Sequence, residues 1–323
     1  MNTMTMTTTA TGSVTIHLEG TGTVTIDWGD GSPKDTAPLN QYQFFYHEFN
    51  AGEIHTIIIS GDNITIMSCD EIGITSLDVS NNTALTKLSC AENHITTLDV
   101  SNNTALIIIG CNDNQITSLD VRKNTALTDL DCCRNKITSL DVSENKALKT
   151  FGCDENQLTG LDVSENSALT WLWCSDNQLT ALNVSNNTAL EKLALGSNQI
   201  TGIDVSKNTA LTELVCYTNG ITGLDVSSNP ALKELWCGEN NLTTLDVSNN
   251  PALEQLWCGK NRLTGLDVSK NPLLTQLDCS SNYITTLYIC KDTVFEMLDC
   301  RYNKIKITFS ANINPTLPTE TEE

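Results

Sequence analysis

The sequence predicts a solenoid: short parallel strands stacked rung upon rung, covered at one end by a small β domain. Two observations carry this. Leu85, Leu106, Leu127, Leu148, Leu169, Leu190, Leu211, Leu232, Leu253 and Leu274 stand 21 residues apart, and Phe295 continues the series. Three residues after each stands a second apolar residue (Leu88, Ile109, Leu130, Phe151 and onward to Leu298), and eight after each stands an asparagine, from Asn93 to Asn303. Constant self-similarity at a period of 20 to 50 residues is the mark of a stacked-repeat architecture. With a worn first copy at Ile64, Met67, Cys69, Ile74 and Leu77, twelve copies fill roughly three-quarters of the 323 residues.

Each copy reads L-x-x-L-x-C-x-x-N-x-I/L-T-x-L-D-V-S-x-N-x-A. The x-L-x-C-x stretch alternates, which suits a short strand with Leu and Cys turned inward. The asparagine that follows ends the strand and is placed to hydrogen-bond the backbone of the turns above and below it, groups otherwise buried unpaired. The return half, L-D-V-S-x-N-x-A, is too short for a full helix and suits an extended piece followed by turns. One copy cannot bury its apolar side alone, whereas stacked copies share a continuous core. This unit resembles the leucine-rich repeat, with Cys in the third apolar slot. The resemblance implies an α/β-type horseshoe: a parallel β-sheet on the concave face, and short strands, 3₁₀ turns or β-turns on the convex face, over residues 63–309.

Residues 1–62 lack the period. Met4–Thr7, Val14–Leu18 and Val24–Trp28 alternate as strands, Gly29-Asp30-Gly31-Ser32-Pro33 is a turn by composition, and Ile57-Ile58-Ile59 is a further strand. Trp28-Gly29-Asp30-Gly31-Ser32, then His47-Glu48-Phe49, then Ala51-Gly52-Glu53 resembles the PKD-type β-sandwich of bacterial surface proteins. Its simplest role is to cover the edge of the first rung, as a terminal cap must. Residues 304–309 read as a last strand closing the far end, and 310–323 as a polar, proline-broken, disordered tail.

Thirty-nine Asp and Glu stand against 18 Lys and Arg, a net charge of −21. That excess opposes phosphate binding and excludes nucleic acid as a partner class. No apolar run reaches the 18 or so residues of a membrane span. Eleven of the 13 cysteines share one repeat position, from Cys69 to Cys300, and Leu195 fills that slot in the remaining copy. A slot that takes Cys or Leu wants a modest apolar group, so the expectation is a ladder of reduced, buried thiols. One thiol per rung is not a disulfide framework, and it lacks the clustered spacing of a zinc site. Cys133, next to the ladder residue Cys132, is expected to be the exposed strand thiol, and Cys290 lies on the return half.

Function is sought on the outward strand positions, the usual ligand face of this fold. Four of the five tryptophans fall there within five consecutive rungs: Trp171, Trp173, Trp236 and Trp257. Tyr217 joins them, with Glu213, Glu234 and Asp131 among the surrounding acids. Exposed aromatic patches mark binding sites and dominate contact energetics, although stacked rings also stabilise a sheet by themselves. The patch fits a protein or peptide partner, or a glycan lying flat on the rings, with acids favouring a basic or polyhydroxylated ligand. A spacer with no ligand is the remaining possibility. The return half carries a carboxylate stripe from Asp78 to Asp267, interrupted by Asn183. An Asx-turn to the Ser of D-V-S accounts for it, and calcium would need six to eight oxygens, more than one carboxylate per rung supplies.

No catalytic, metal or cofactor motif appears, and His17, His47, His55 and His94 are scattered. The expectation is a non-enzymatic recognition or adhesion module, monomeric and without cofactor. The start lacks a charged-then-apolar leader, so the chain is either cytoplasmic or the trimmed form of an exported protein. The resemblance to internalin-like, secreted or surface-held bacterial repeat proteins implies the second.

Overall fold

The computed structural model describes residues 2–39, 42–50, 53–291 and 293–305. The sequence readings on 306–309 and on the tail lie outside them. The chain falls into two compact units: residues up to 190 together with 197–199, and residues 191–196 together with those from 200 onward.

The first unit opens with β1 (Thr3–Thr8), β2 (Gly12–Asp27), β3 (Asp35–Leu39), β4 (Gln43–Phe49), β5 (His55–Ser60), β6 (Asn63–Ser68) and β7 (Ile74–Asp78). The two alternating runs at Val14–Leu18 and Val24–Trp28 join into the single strand β2. Gly20 permits this: its φ is +157°, and a Cβ there would stand 2.0 Å from the Asn63 carbonyl oxygen. β2 pairs with β4 up to Leu18 and with β6 from His17 through Gly20 to Thr21; from Gly22 onward it pairs with β3 and then β5. One strand thus feeds two sheets, with Met4, Ile16, Leu18, Ile26, Ile57 and Ile59 buried. β2 lies antiparallel on β6, and β1 lies antiparallel on β7, so both edges of the first coil are hydrogen-bonded by the N-terminal segment. Within it the Trp28 indole N–H donates to Asp35 Oδ2 at 2.8 Å, and the ring stacks on His47 at 4.5 Å between centroids. His47 Nε2 in turn lies 2.7 Å from Asp30 Oδ2. The Trp28–Ser32 turn and the His47-Glu48-Phe49 segment therefore meet.

Coil strands β8 (Lys87–Ser89), β9 (Ile108–Gly110), β10 (Asp129–Asp131), β11 (Thr150–Gly152) and β12 (Trp171–Trp173) follow in parallel register on β6. The second unit repeats the plan with β13 (Lys192–Ala194), β14 (Glu213–Val215), β15 (Glu234–Trp236), β16 (Gln255–Trp257), β17 (Gly265–Val268), β18 (Gln276–Asp278), β19 (Thr286–Ile289) and β20 (Met297–Asp299). Its coil strands are β13, β14, β15, β16, β18 and β20, while β17 and β19 pair on the return side. The interior holds what the repeat placed there: Leu106, Ile109, Cys111, Ile116, Leu119 and Val121 in one coil are buried, as are most of their equivalents, whereas in the last coil Phe295, Leu298 and Cys300 are only half-buried. Among the described residues the return half is turns and short strands, with neither α-helix nor 3₁₀-helix.

Why each strand stops after three residues is visible in the backbone. The second residue after every ladder cysteine takes a left-handed conformation, with φ between +49° at Thr218 and +56° at Tyr302. None of these residues is glycine, so each carries strain of order 1 kcal/mol. An inter-coil bond helps hold the bend: Glu92 N–H donates to the Asn112 carbonyl at 2.9 Å and Arg134 N–H to the Asp154 carbonyl at 2.8 Å. The bend turns the next residue, the asparagine, into the core. Asn114 Nδ2 donates to the carbonyls of Cys90, Cys111 and Asn112, and its Oδ1 accepts from Ile95 N–H at 2.9 Å. The ladder asparagine thus serves its own turn and the preceding one, rather than the turns on both sides.

A second asparagine ladder, in V-S-x-N, runs along the return half. The Asn103 backbone closes two successive turns, from its N–H to the Val100 carbonyl and from its carbonyl to Leu106 N–H. Its Nδ2 reaches back to the carbonyls of Val79 and Asn82 at 2.9 and 2.8 Å. The Oδ1 atoms of Asn103, Asn124, Asn145 and Asn166 are buried without a partner, unlike those of the first ladder.

Candidate functional site

The ladder thiols sit beside the sheet interior. Burial pushes those of Cys90, Cys111, Cys132, Cys153, Cys237 and Cys258 well above the ordinary thiol range, with neighbouring thiols adding to the effect. They are packing groups. Cys133 departs from its expected exposure. It is half-buried, because a Cβ at Gly152 would stand 2.9 Å from its sulfur, so the thiol lies in the space that glycine leaves.

The return stripe is a column of Asx-turns. Asp78 Oδ1 accepts from Ser80 N–H, Asp99 from Ser101 and Asp246 from Ser248, each at 2.9 Å. Asn183 makes the same bond to Ser185 at 3.0 Å without a charge, which shows that the turn, and not the charge, is what the position requires. The serine donors hold these carboxyls below the ordinary carboxylate range, and Arg122 brings Asp120 to about 2.

The strand face bears the aromatic residues, in two separate groups. In the first unit Trp171 and Trp173 share one strand, their ring centroids 5.5 Å apart at 55°. Trp171 is the more open, at 37% exposure. Asp131 accepts from Cys133 N–H at 3.1 Å in the same unit. Close by, burial raises the Asp154 carboxyl to about 6; the Ser175 N–H opposes this, while the charges of Asp176, Asp131 and Glu155 add to it.

In the second unit the rings make a hollow. Trp236 and Trp257 are register partners on β15 and β16, 5.5 Å apart at 42°. The next outward column reads Tyr217, Gly238, Gly259, Ser280 at the repeat spacing. Its two consecutive glycines leave a gap where side chains would stand. The result is a hollow of about 360 Å³ lined by Tyr217, Trp236, Trp257, Gly238 and Gly259, with Glu239, Lys260, Asp278 and Ser280. Tyr217 is seated over Gly196, where an added Cβ would meet its ring at 2.8 Å. Asp278, in register with Trp257, leans over Gly259, where a Cβ would lie 2.9 Å from its Oδ2. The indoles are half-buried rather than standing in water, and both Nε1 atoms are buried without an acceptor. A buried donor left unpaired costs about 1–3 kcal/mol.

Glu213 and Glu234 are register partners outside the hollow, and Glu213 pairs with Lys192 at 2.9 Å. The acidic groups that do line it are Glu239, which holds Lys260 at 2.7 Å, and Asp278. Glu239 and Lys260 occupy the left-handed column, whose side chains the strand alternation does not place. The signal that could have found the hollow was the Gly-Gly step at 238 and 259, beside two tryptophans one repeat apart.

These features define a leucine-rich-repeat solenoid, a non-enzymatic class of protein, with an N-terminal antiparallel region. Comparison with solved structures agrees. The chain is similar to the functional domain of InlJ from Listeria monocytogenes, which includes a cysteine ladder: 38% identity over 75% of this chain and 59% of that one, TM-score 0.70. It thus spans well under two-thirds of that domain. An internalin, inlF, from the same organism matches at 20% identity over 78% of this chain and 87% of that one, TM-score 0.61. The plant peptide hormone receptor RGFR1, solved in complex with RGF2, matches at 18% over 75% of this chain and 48% of that one, TM-score 0.60. The last two show the fold alone. No family model matches the sequence, and no curated protein matches it. No helix among the described residues is long and apolar enough to cross a membrane.

Proposed function

We propose that the chain is a recognition module of a secreted or surface-held bacterial protein, binding a protein partner through its Trp-bearing, acidic strand face. The observation that carries this reading is the hollow beside Trp236 and Trp257. The two rings pack against each other along its edge, next to the Gly238–Gly259 step and the Asp278 carboxylate, on the face of the sheet that the core does not need. Aromatic side chains beside a concavity are where binding energy concentrates. The likeness to the InlJ domain supports an internalin-like role, and RGFR1, solved in complex with RGF2, is a member of the same fold that takes a partner. The N-terminal segment, in this reading, is a PKD-like cap over the first coil.

The test is a peptide-display selection on the intact chain, with counter-selection on a Trp236→Ala/Trp257→Ala variant and a glycan array in parallel. Peptides that need both indoles support the reading. A glycan signal that needs them supports a lectin using the same rings. Binders indifferent to both substitutions, with no glycan signal, leave a spacer and overturn it.

A further inference from the structure

Resting on that reading, we propose that the hollow receives a cationic side chain of the partner, preferentially the guanidinium of an arginine.

Tyr217, Trp236 and Trp257 all line the space, and the face of each such ring carries negative charge that attracts a cation within about 6 Å. The charged groups around them do not cancel. Lys260 is held by Glu239 at 2.7 Å, and on the next coil Arg301 is held by Asp299 at 2.7 Å. Asp278 remains: its Oδ1 accepts the Ser280 N–H at 2.8 Å, and among the described residues no Lys or Arg stands within ion-pair distance of it. The site therefore offers one carboxylate that makes no direct ion pair, in register beside Trp257; Lys260 and Arg301, each held by its own carboxylate, act on it only at longer range. A planar guanidinium can lie against a ring and bond a carboxylate through its edge, which a compact ammonium does less well.

Size and the remaining polar groups point the same way. A hollow of about 360 Å³ is at the small end of ligand pockets, roughly 300–1,000 Å³; it suits one side chain rather than a folded surface. A sugar would call for several hydroxyl partners. Here two lining positions are glycine, the indole N–H groups are buried, and Glu239 and Lys260 satisfy each other. The chain's net charge of −21 adds a long-range pull on a basic segment.

The experiment titrates the full chain with an acetylated, amidated triarginine peptide, its neutral tricitrulline counterpart and methyl glucoside. Tryptophan fluorescence is read at about 0.15 M salt, where long-range attraction is screened. Asp278→Asn removes the unpaired carboxylate, and Asp225→Asn removes one charge from the return stripe as a control. The proposal expects saturable binding of triarginine, roughly tenfold weaker binding of tricitrulline, and a loss of about tenfold with Asp278→Asn but not Asp225→Asn, the size of one good charge-assisted contact. Equal binding of the two peptides, equal loss in both variants, or a response to the glucoside alone overturns it. Display-selected peptides without basic residues that still need Trp236 and Trp257 would sink the cation and leave the protein-binding reading standing. Peptides indifferent to those indoles would sink both.

Discussion

The coil interior around Asn135 and the strand face around Trp257 are built on the same 21-residue period, yet they obey different rules. In the interior each coil repeats its neighbour: Asn135 Nδ2 donates to the carbonyls of Cys111, Cys132 and Cys133 just as Asn114 does to those of Cys90, Cys111 and Asn112. These asparagines are fixed because each one satisfies backbone of the adjoining coil, so a change in one coil breaks contacts in two. On the face, one column in the second unit runs Ala194, Val215, Trp236, Trp257, Asp278, Asp299, all carried by the same short strands in the same register. The scaffold tolerates this variety because an outward side chain closes no coil. Constancy marks what holds the fold, and variety on a constant frame marks what is free to be specific.

The sharpest way to probe the contrast is inside the interior itself, between its two asparagine ladders. Asn135→Ala removes three donated bonds and orphans the buried Ile116 N–H, so a loss of about 3–5 kcal/mol is expected. Asn145→Ala removes two donated bonds together with an Oδ1 that had no partner, and should cost roughly 2 kcal/mol. Urea denaturation of the two variants tests the order. Equal losses would mean that the Oδ1 bond contributes nothing.

A smaller effect, of opposite sign, is expected at Asp154, where the face presses a carboxylate into cover. Its folded value, about 6, lies above its ordinary 3.8. A raised carboxyl favours the fold when protonated, fully so below about 3.8, and that contribution is lost as pH rises through about 6. Asp154→Asn should therefore stabilise by about 1–3 kcal/mol at pH 8 and by almost nothing at pH 3.5. The return stripe runs the other way. The carboxyls from Asp78 to Asp246 are depressed, so their contribution is present above about 3.8 and disappears as pH falls toward about 2, the value at Asp120. Thermal melts of both proteins across this range separate the two trends, and a pH-independent difference would refute the account of Asp154.

The smallest effect concerns the bend between face and interior. Thr218 is β-branched and holds φ +49°, a conformation that asparagine tolerates better. Thr218→Asn should stabilise by about 0.5–1 kcal/mol despite the loss of the Thr218 hydroxyl bond to Glu239. A lower melting temperature would show that this bond outweighs the strain.

The interior was legible in the sequence because every element of it recurs. The Leu and Cys slots, the first asparagine and the Asx-turn stripe could each be read from spacing and residue chemistry. The second ladder, Asn103 through Asn271, is equally periodic, but V-S-x-N reads as ordinary turn composition, and only the structure shows its side chain reaching the preceding coil. The long strand β2 was hidden by Gly20 and Gly22, which interrupt an alternation that the backbone continues across. On the face, alternation sets the tryptophans on the outward strand positions, where the structure has them. Glu213 and Glu234 stand in an outward column yet miss the hollow, whereas Glu239 and Lys260 reach it from a bend whose positive φ no residue-type signal announced.

In the proposed reading the strand-face indoles serve a partner and not the fold. The most direct test measures stability and peptide binding on the same Trp236→Ala/Trp257→Ala protein, using peptides selected on the unaltered chain. Removal of two half-buried rings should lower stability by only about 1–3 kcal/mol while binding falls below detection. Retained binding, or a chain that no longer folds, would contradict it.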